Sequence, residues 1–357
     1  MDQFTNAMEM VDHIPHPAFC VVDGVIVKVN AAAAGRLIEQ NSSVSDLLQT
    51  GEVEYREFTG GCLYLTLNIC GSVLGASVTR KSGFDLFCLE QDADRGELQA
   101  MALAARELRE PLASIMTTAD RLFPVVSLDE NPQVAEQAAR INRGLFQMLR
   151  IISNMSDADR YASDSGARLE SRDICAILQE AFAKASSLVE HAGISLVFEN
   201  LPLPVFTLVD AEKLERAVLN ILSNALKFAA KGSTIRAKLQ RRGKMLQLSV
   251  QNTGDGIPEE LRGQIFSRYT REPGVEDGRF GIGLGFVLIR SAAAIHGGTV
   301  LVDQPEPSST RITMTLAICS APANLVRSPI FRVDYAGERD HGLLELSDTL
   351  PPELYRQ

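Results

Sequence analysis

A chain of 357 residues, 45% hydrophobic and 22% charged, has the make-up of ordinary globular protein and the length for two or three separate cores. Its formal net charge of −10 disfavours non-specific binding to nucleic acid or anionic lipid. No stretch reaches the ~18 uncharged apolar residues of a membrane span, and the acidic start MDQFTNAMEMVDHIP lacks an apolar signal core, so a cytoplasmic location is expected.

The six cysteines (Cys20, Cys62, Cys70, Cys88, Cys175, Cys319) are scattered, mostly in apolar runs such as AFCVV and LFCLE. They are expected to be reduced thiols rather than disulfides or metal ligands. The histidines His13, His16, His191, His296 and His341 also lack metal-ligand spacing.

Residues 14–90 read as short strands with turn signals. IPHPAFCVVDGVIVKVN predicts a hairpin turning on Asp23-Gly24. LYLTLNICG and GASVTRKSGFDLFCLE supply further strands, and NAAAAGRLIE a short helix, giving a small mixed sheet. The pattern resembles a PAS-type sensory domain, assigned to 1–92.

From Leu98 the residues are helix formers. Apolar positions run Leu98, Met101, Ala105, Leu108, Leu112, Ile115, Ala119, Leu122 and, after SLDENP, Val134, Ala138, Ile141, Leu145, Met148, Ile152, Met155. Both series have heptad spacing, and Asn131-Pro132 marks the second start. The prediction for 93–162 is an antiparallel hairpin whose narrow seam calls for pairing into a four-helix dimer. On spacing alone, a plain coiled-coil linker fits equally well.

Residues 165–320 alternate helix and strand: the helix ICAILQEAFAKASSLVEHA, the strand ISLVFEN and the helix AEKLERAVLNILSNALKFAA lead. The strands TIRAKLQRR and KMLQLSVQNTG follow, linked at Arg242-Gly243, then the helix GFVLIRSAAAIHG and the strands GTVLVDQ and STRITMTLAI. This order predicts a sheet with helices on one face, so the chain as a whole is an α+β multidomain protein. The tail 321–357 holds a strand-like piece, IFRVDYA, and an apolar piece, GLLELSD. The sequence assigns it no role.

Four segments of this third region carry chemistry. On the helix LERAVLNILSNALKFA, Asn220 and Asn224 share a face. Amide oxygens there can ligate a hard cation without adding charge, and Lys227 can neutralise phosphate. QNTGDGIPEELRGQIF offers Gly254, Gly256 and Ile257 after Asn252, and IFSRYTR follows with Phe266 and Tyr269. After REPGVEDGRF comes GIGLGFVLI, where Gly281, Gly283, Leu284 and Gly285 open a helix. Backbone N–H groups at such a start form an anion site. In order and spacing these segments resemble the N box, first glycine box, F box and second glycine box of two-component sensor histidine kinases and their GHKL relatives. The resemblance implies ATP and Mg²⁺ as cofactors, with Asn224 as the metal ligand and Lys227 on phosphate.

In the first heptad helix, ARELREPLASI resembles the H box of the same family, with Glu107, Leu108, Arg109, Pro111 and Leu112 in place. The phosphoacceptor position holds Arg106. A histidine ring nitrogen can attack phosphorus near neutral pH; a guanidinium, charged to about pH 12 and without an available lone pair, cannot. The Thr or Asn that the family uses to orient water is Glu110, a carboxylate that repels an acidic phosphoryl site. The adenine-binding aspartate is Asn252, which keeps an acceptor but exchanges a charge-assisted bond for a neutral one, a loss on the order of 1 kcal/mol.

Two readings follow. One is a degenerate kinase without catalytic residues of its own, acting as a homodimer, as a heterodimer with another sensor kinase, or by holding a response regulator. The alternative is an active kinase that phosphorylates a partner's histidine in trans. A serine kinase or other ATPase of the superfamily fits the H-box remnant less well.

Overall fold

The structure, a computed structural model, describes residues 11–81, 83–90, 93–122, 132–162, 167–254, 256–257, 265–266, 284–319, 335–336 and 339–356. At the N-terminal end, β1 (Ala18–Val22) and β2 (Val25–Val29) form the expected hairpin. Both turn residues have positive φ, 48° at Asp23 and 79° at Gly24, as a tight two-residue turn between right-twisted strands requires. The helix predicted over NAAAAGRLIE is only α1 (Ala31–Ala34), capped by the Asn30 side chain. Helix α2 (Glu52–Glu57), β3 (Cys62–Ile69), β4 (Ser72–Lys81) and β5 (Phe84–Leu89) complete this part.

The five strands lie in the order β2-β1-β5-β4-β3. All their pairings are antiparallel, where the sequence reading expected a mixed sheet. Short turns join β1 to β2, β3 to β4 and β4 to β5, and such turns connect only antiparallel strands.

The hairpin is α3 (Ala93–Leu122) and α4 (Pro132–Ala162). One set of seam positions is buried: Ala105, Leu112 and Ala119 on α3, and Ala138, Leu145 and Ile152 on α4. The intervening positions Leu108, Ile115, Leu122, Ile141 and Met148 are 49–56% exposed. Two helices enclose only half of a two-position seam, and the other half stays in solvent.

In the third region, β6 (Glu170–Asp173) pairs with β8 (Phe206–Val209) as a separate ribbon. Helix α5 (Ile174–His191), β7 (Ser195–Glu199), α6 (Ala211–Phe228), β9 (Thr234–Arg242) and β10 (Met245–Thr253) precede α7 (Leu284–Ile295), β11 (Val300–Asp303) and β12 (Ser309–Ala317). The β9–β10 turn is Gly243-Lys244, since Arg242 still pairs with Met245, one residue later than predicted. Helices α5, α6 and α7 supply the apolar side of one large core with this sheet. In the tail, α8 (His341–Glu345) and a short 3₁₀ turn (Pro352–Tyr355) pack on α4, α5 and α6.

The N-terminal sheet does not stand alone. Strand β3 pairs antiparallel with β11, Leu63 opposite Leu301, which joins both sheets into a single ten-stranded sheet. The alternation of β3 serves both sides: Leu63, Leu65 and Leu67 enter the N-terminal core, while Cys62 and Tyr64 enter the core beneath α7. Gly61, at φ 92°, lies where an added Cβ would overlap the Val302 carbonyl, so the close approach of the two strands depends on it.

Candidate nucleotide-binding site

The site is built around α6, which starts at an aspartate N-cap. The Asp210 side chain accepts from Lys213 N, and Asp210 N donates to His296 Nε2 at 3.0 Å. His296 Nδ1 in turn donates to the Ala292 carbonyl at 2.6 Å, so the ring holds one defined neutral tautomer. Burial pushes this imidazole below its ordinary pKa. The turn after α7 is thereby tied to the start of α6.

Further along α6, Asn220 is buried. Its Nδ2 donates to Arg216 O at 2.9 Å. A Cβ on Gly285, in the first turn of α7, would sit 3.2 Å from Asn220 Oδ1. The fold therefore brings the N box and the second glycine box into contact, with Leu284 buried beside them. Asn224 lies one turn further on the same face; its Nδ2 is buried and has no hydrogen-bond partner among the described residues. Lys227 closes the helix, and Phe228 and Ala229 carry it to the first glycine box through an Ala229–Gly254 bridge.

Asn252 stands near the end of β10 opposite Thr310. It is 4% exposed, and its Nδ2 has no hydrogen-bond partner among the described residues. A Cβ at Gly254 would overlap the Phe228 carbonyl, so its smallness seats β10 against the end of α6. Gly256 has φ 72°, Ile257 packs on the core, and Phe266 is buried against the rings of Tyr64 and Phe286. Tyr269, Gly281 and Gly283 lie outside the described residues.

The H-box positions are on α3. Arg106, Glu107 and Glu110 are exposed, and Arg109 donates to Ser153 Oγ and to Tyr335 O, both at 3.3 Å. Arg106 thus presents its guanidinium to solvent at the acceptor position.

The sequence reading missed the polar cluster on the N-box face. Arg150 of α4 donates through Nε to Glu345 Oε2 at 3.1 Å and through Nη1 to Asp348 Oδ2 at 2.6 Å. Arg216 donates to Glu345 Oε1 at 3.2 Å, pairs with Asp157, and lies over the Tyr335 ring. Asn220 Nδ2 also reaches Glu345 Oε2, at 3.2 Å, and Lys227 Nζ is 2.8 Å from Asp348 Oδ2. Burial pushes the Lys227 ammonium below its usual value, with Arg150 adding and Asp348 offsetting part. Burial alone would raise the Asp348 carboxyl, but Arg150 and Lys227 together outweigh it and hold it below the usual carboxylate range. One signal was available: Arg216 stands one turn before Asn220, so a cation falls on the buried face of an amphipathic helix.

Comparison with known proteins fits this geometry. Residues 209–319 match the family described as Histidine kinase-, DNA gyrase B-, and HSP90-like ATPase. The histidine protein kinase DivJ of Caulobacter vibrioides is 29% identical over 250 residues, 65% of this chain and 41% of that protein. The sensor protein KdpD of Escherichia coli is 28% identical over 233 residues, 64% of this chain and 26% of its own. The chain is thus similar to sensor histidine kinases, and its residues 209–319 match their ATPase family. It spans less than half the length of these sensor kinases. Full-length ShkA in complex with AMPPNP shares the fold, with a TM-score of 0.51 at 22% identity over 63% of this chain and 47% of that one. This α+β multidomain chain therefore carries a domain of the histidine-kinase ATPase type.

Proposed function

We propose that this sensor kinase relative binds ATP with Mg²⁺ through its ATPase domain, dimerises through its helical hairpin, and does not phosphorylate itself at the H-box position. One observation carries the reading. Arg106 is exposed where the nucleophile of the family stands, while Asn224 and Asn252 each keep a buried amide nitrogen that has no partner among the described residues. Buried polar groups are left unpaired at a cost of roughly 1–3 kcal/mol, and a ligand that pairs with them removes that cost. The residues fit the cofactor: Asn224 offers a neutral amide oxygen to Mg²⁺, Lys227 a cation to phosphate, and Asn252 a donor and an acceptor to adenine. Bound Mg²⁺ neutralises charge on the triphosphate. By the resemblance of the second glycine box, Gly281, Gly283 and Gly285 supply backbone donors to phosphate.

The proposed organisation is a PAS-type sensory domain over 1–92, a dimerisation hairpin over 93–162, the ATPase domain over 165–320 and a tail over 321–357. The exposed half-seam of Leu108, Ile115, Leu122, Ile141 and Met148 supports a second copy of the hairpin as its cover. A cytoplasmic location belongs to the same reading; among the described residues no helix is long and apolar enough to cross a membrane. With Glu110 exposed beside the acceptor position, a response regulator would be bound rather than dephosphorylated.

A second reading, a kinase acting in trans on a partner's histidine, is favoured by the retained Asn220, Asn224 and Lys227. Titration calorimetry of MgATP into the full chain tests the shared core of both. Binding is expected, and Asn224→Ala should weaken it at least about tenfold, or 1.4 kcal/mol. No heat at millimolar MgATP would overturn it. Labelled phosphate appearing on an added His-bearing hairpin would decide for the trans reading.

A further inference from the structure

We infer that the C-terminal segment 339–356 is a built-in competitor for the phosphate end of the nucleotide site. It rests on the proposed ATP site, and adds that the chain itself carries the group that fills that site when nucleotide is absent.

The segment reaches the N box with two carboxylates. Glu345 is fully buried and accepts from Arg216, Arg150 and Asn220. Asp348 bridges Arg150 at 2.6 Å and Lys227 at 2.8 Å. Two of the three targets on α6, Asn220 and Lys227, are side chains assigned here to the nucleotide. The segment is positioned to do this: Asp340 caps α8, and Arg143 holds the Ser347 and Asp348 carbonyls at 2.9 and 3.0 Å. Asn142 donates to the Tyr355 carbonyl at 2.9 Å, and His341 pairs with Glu215 of α6 at 3.1 Å.

Charge decides what this arrangement excludes. Arg150, Arg216 and Lys227 face Asp157, Glu345 and Asp348, so the cluster is balanced with the tail in place. With the tail withdrawn, three cations face Asp157 alone, a surface suited to a polyphosphate anion. A triphosphate entering beside a docked Asp348 would place like charges side by side in a partly buried site. Tail and triphosphate therefore exclude each other, while no hydrogen bond or ion pair among the described residues joins 339–356 to Asn252 at the adenine end. The same carboxylates link Arg150 of α4 to Arg216 and Lys227 of α6, beside the direct Arg216–Asp157 pair.

The test compares the full-length protein with its Asp348→Asn variant, using MgATP and adenosine as probes. Apparent affinity is reduced by the fraction of molecules in the competent state. If about nine-tenths hold the tail docked, the variant binds MgATP about tenfold tighter, with adenosine binding unchanged. Hydrogen exchange on the wild-type protein gives an independent reading: saturating MgATP should remove protection from residues 340–355. Equal MgATP affinity in both proteins, with tail protection unchanged by MgATP, would overturn the competition and leave the ATP site standing. Absence of MgATP binding in both proteins would overturn the ATP site and the competition with it.

Discussion

Arg290 and Glu90 meet at 2.7 Å on the line where the N-terminal sheet joins the ATPase domain. Arg290 is buried on α7, and it also donates to the Phe266 carbonyl at 2.8 Å and lies over the Tyr64 ring. One guanidinium thus gathers the end of β5, the strand β3 and the F-box segment. Removing the carboxylate by Glu90→Gln leaves that cation buried without its counter-charge. Because the Glu90 side chain is 30% exposed, water recovers part of the loss. The expected destabilisation is about 1–2 kcal/mol, read as a shift in the urea midpoint; an unchanged midpoint would show the pair to be screened.

Gly61→Ala tests the sheet junction itself. The substitution meets a positive φ of 92° and the Val302 carbonyl at once. A loss of about 2 kcal/mol or more is expected, whereas the same change at the open turn of Gly83 (φ 96°), where nothing crowds the new methyl, should cost less. Equal effects at both positions would argue against tight β3–β11 pairing.

Much of this architecture is legible in the sequence, for physical reasons that differ by element. The Asp23-Gly24 hairpin, the two long helices and the N-box helix are local: turn chemistry or apolar period within one segment specifies each. The half-exposed seam follows from the two-per-heptad count. The β3–β11 junction does not, because the alternation of CLYLTLNI, with Leu63, Leu65, Leu67 and Ile69 on one face, reads the same whether the strand's edge is free or paired. The tail contacts are hidden for another reason. Glu345, Asp348 and Arg150 each look like solvated charges, and only the fold brings together residues as far apart in sequence as Arg150 and Glu345.

His296 gives the ATPase domain a pH dependence of defined sign. Its native pKa is lowered, chiefly by burial, from an ordinary value of 6.5. The unfolded chain therefore takes up the proton first. The stability contributed by the neutral ring is complete above about 6.5 and is lost as pH falls through the lower native value. His296→Leu should destabilise the protein at pH 8 by about 1–2 kcal/mol, since Asp210 N loses its acceptor, and this is read as a lower melting temperature. The variant should also flatten the decline below pH 6.5. A decline as steep as the wild type's would assign it to other groups.

Asn252→Asp separates the cost of the bare site from its value to ligand. Placed in a buried position whose amide nitrogen already lacks a partner, the carboxylate should lower stability without nucleotide by about 1–3 kcal/mol. It should also tighten MgATP binding by about fivefold, through a charge-assisted bond to adenine. Calorimetry and thermal melts on one sample check both directions. Weaker binding in the variant would place adenine elsewhere.

If the nucleotide site is competent and the acceptor is what autophosphorylation lacks, restoring the histidine restores transfer. The Arg106→His protein is incubated with γ-labelled ATP and Mg²⁺ beside the wild-type chain. The prediction is acid-labile label on the introduced imidazole of the variant and none on the wild-type chain. Acid-labile label on the wild-type chain would contradict the loss of the acceptor, and a variant that binds MgATP yet stays unlabelled would contradict the competence of the site.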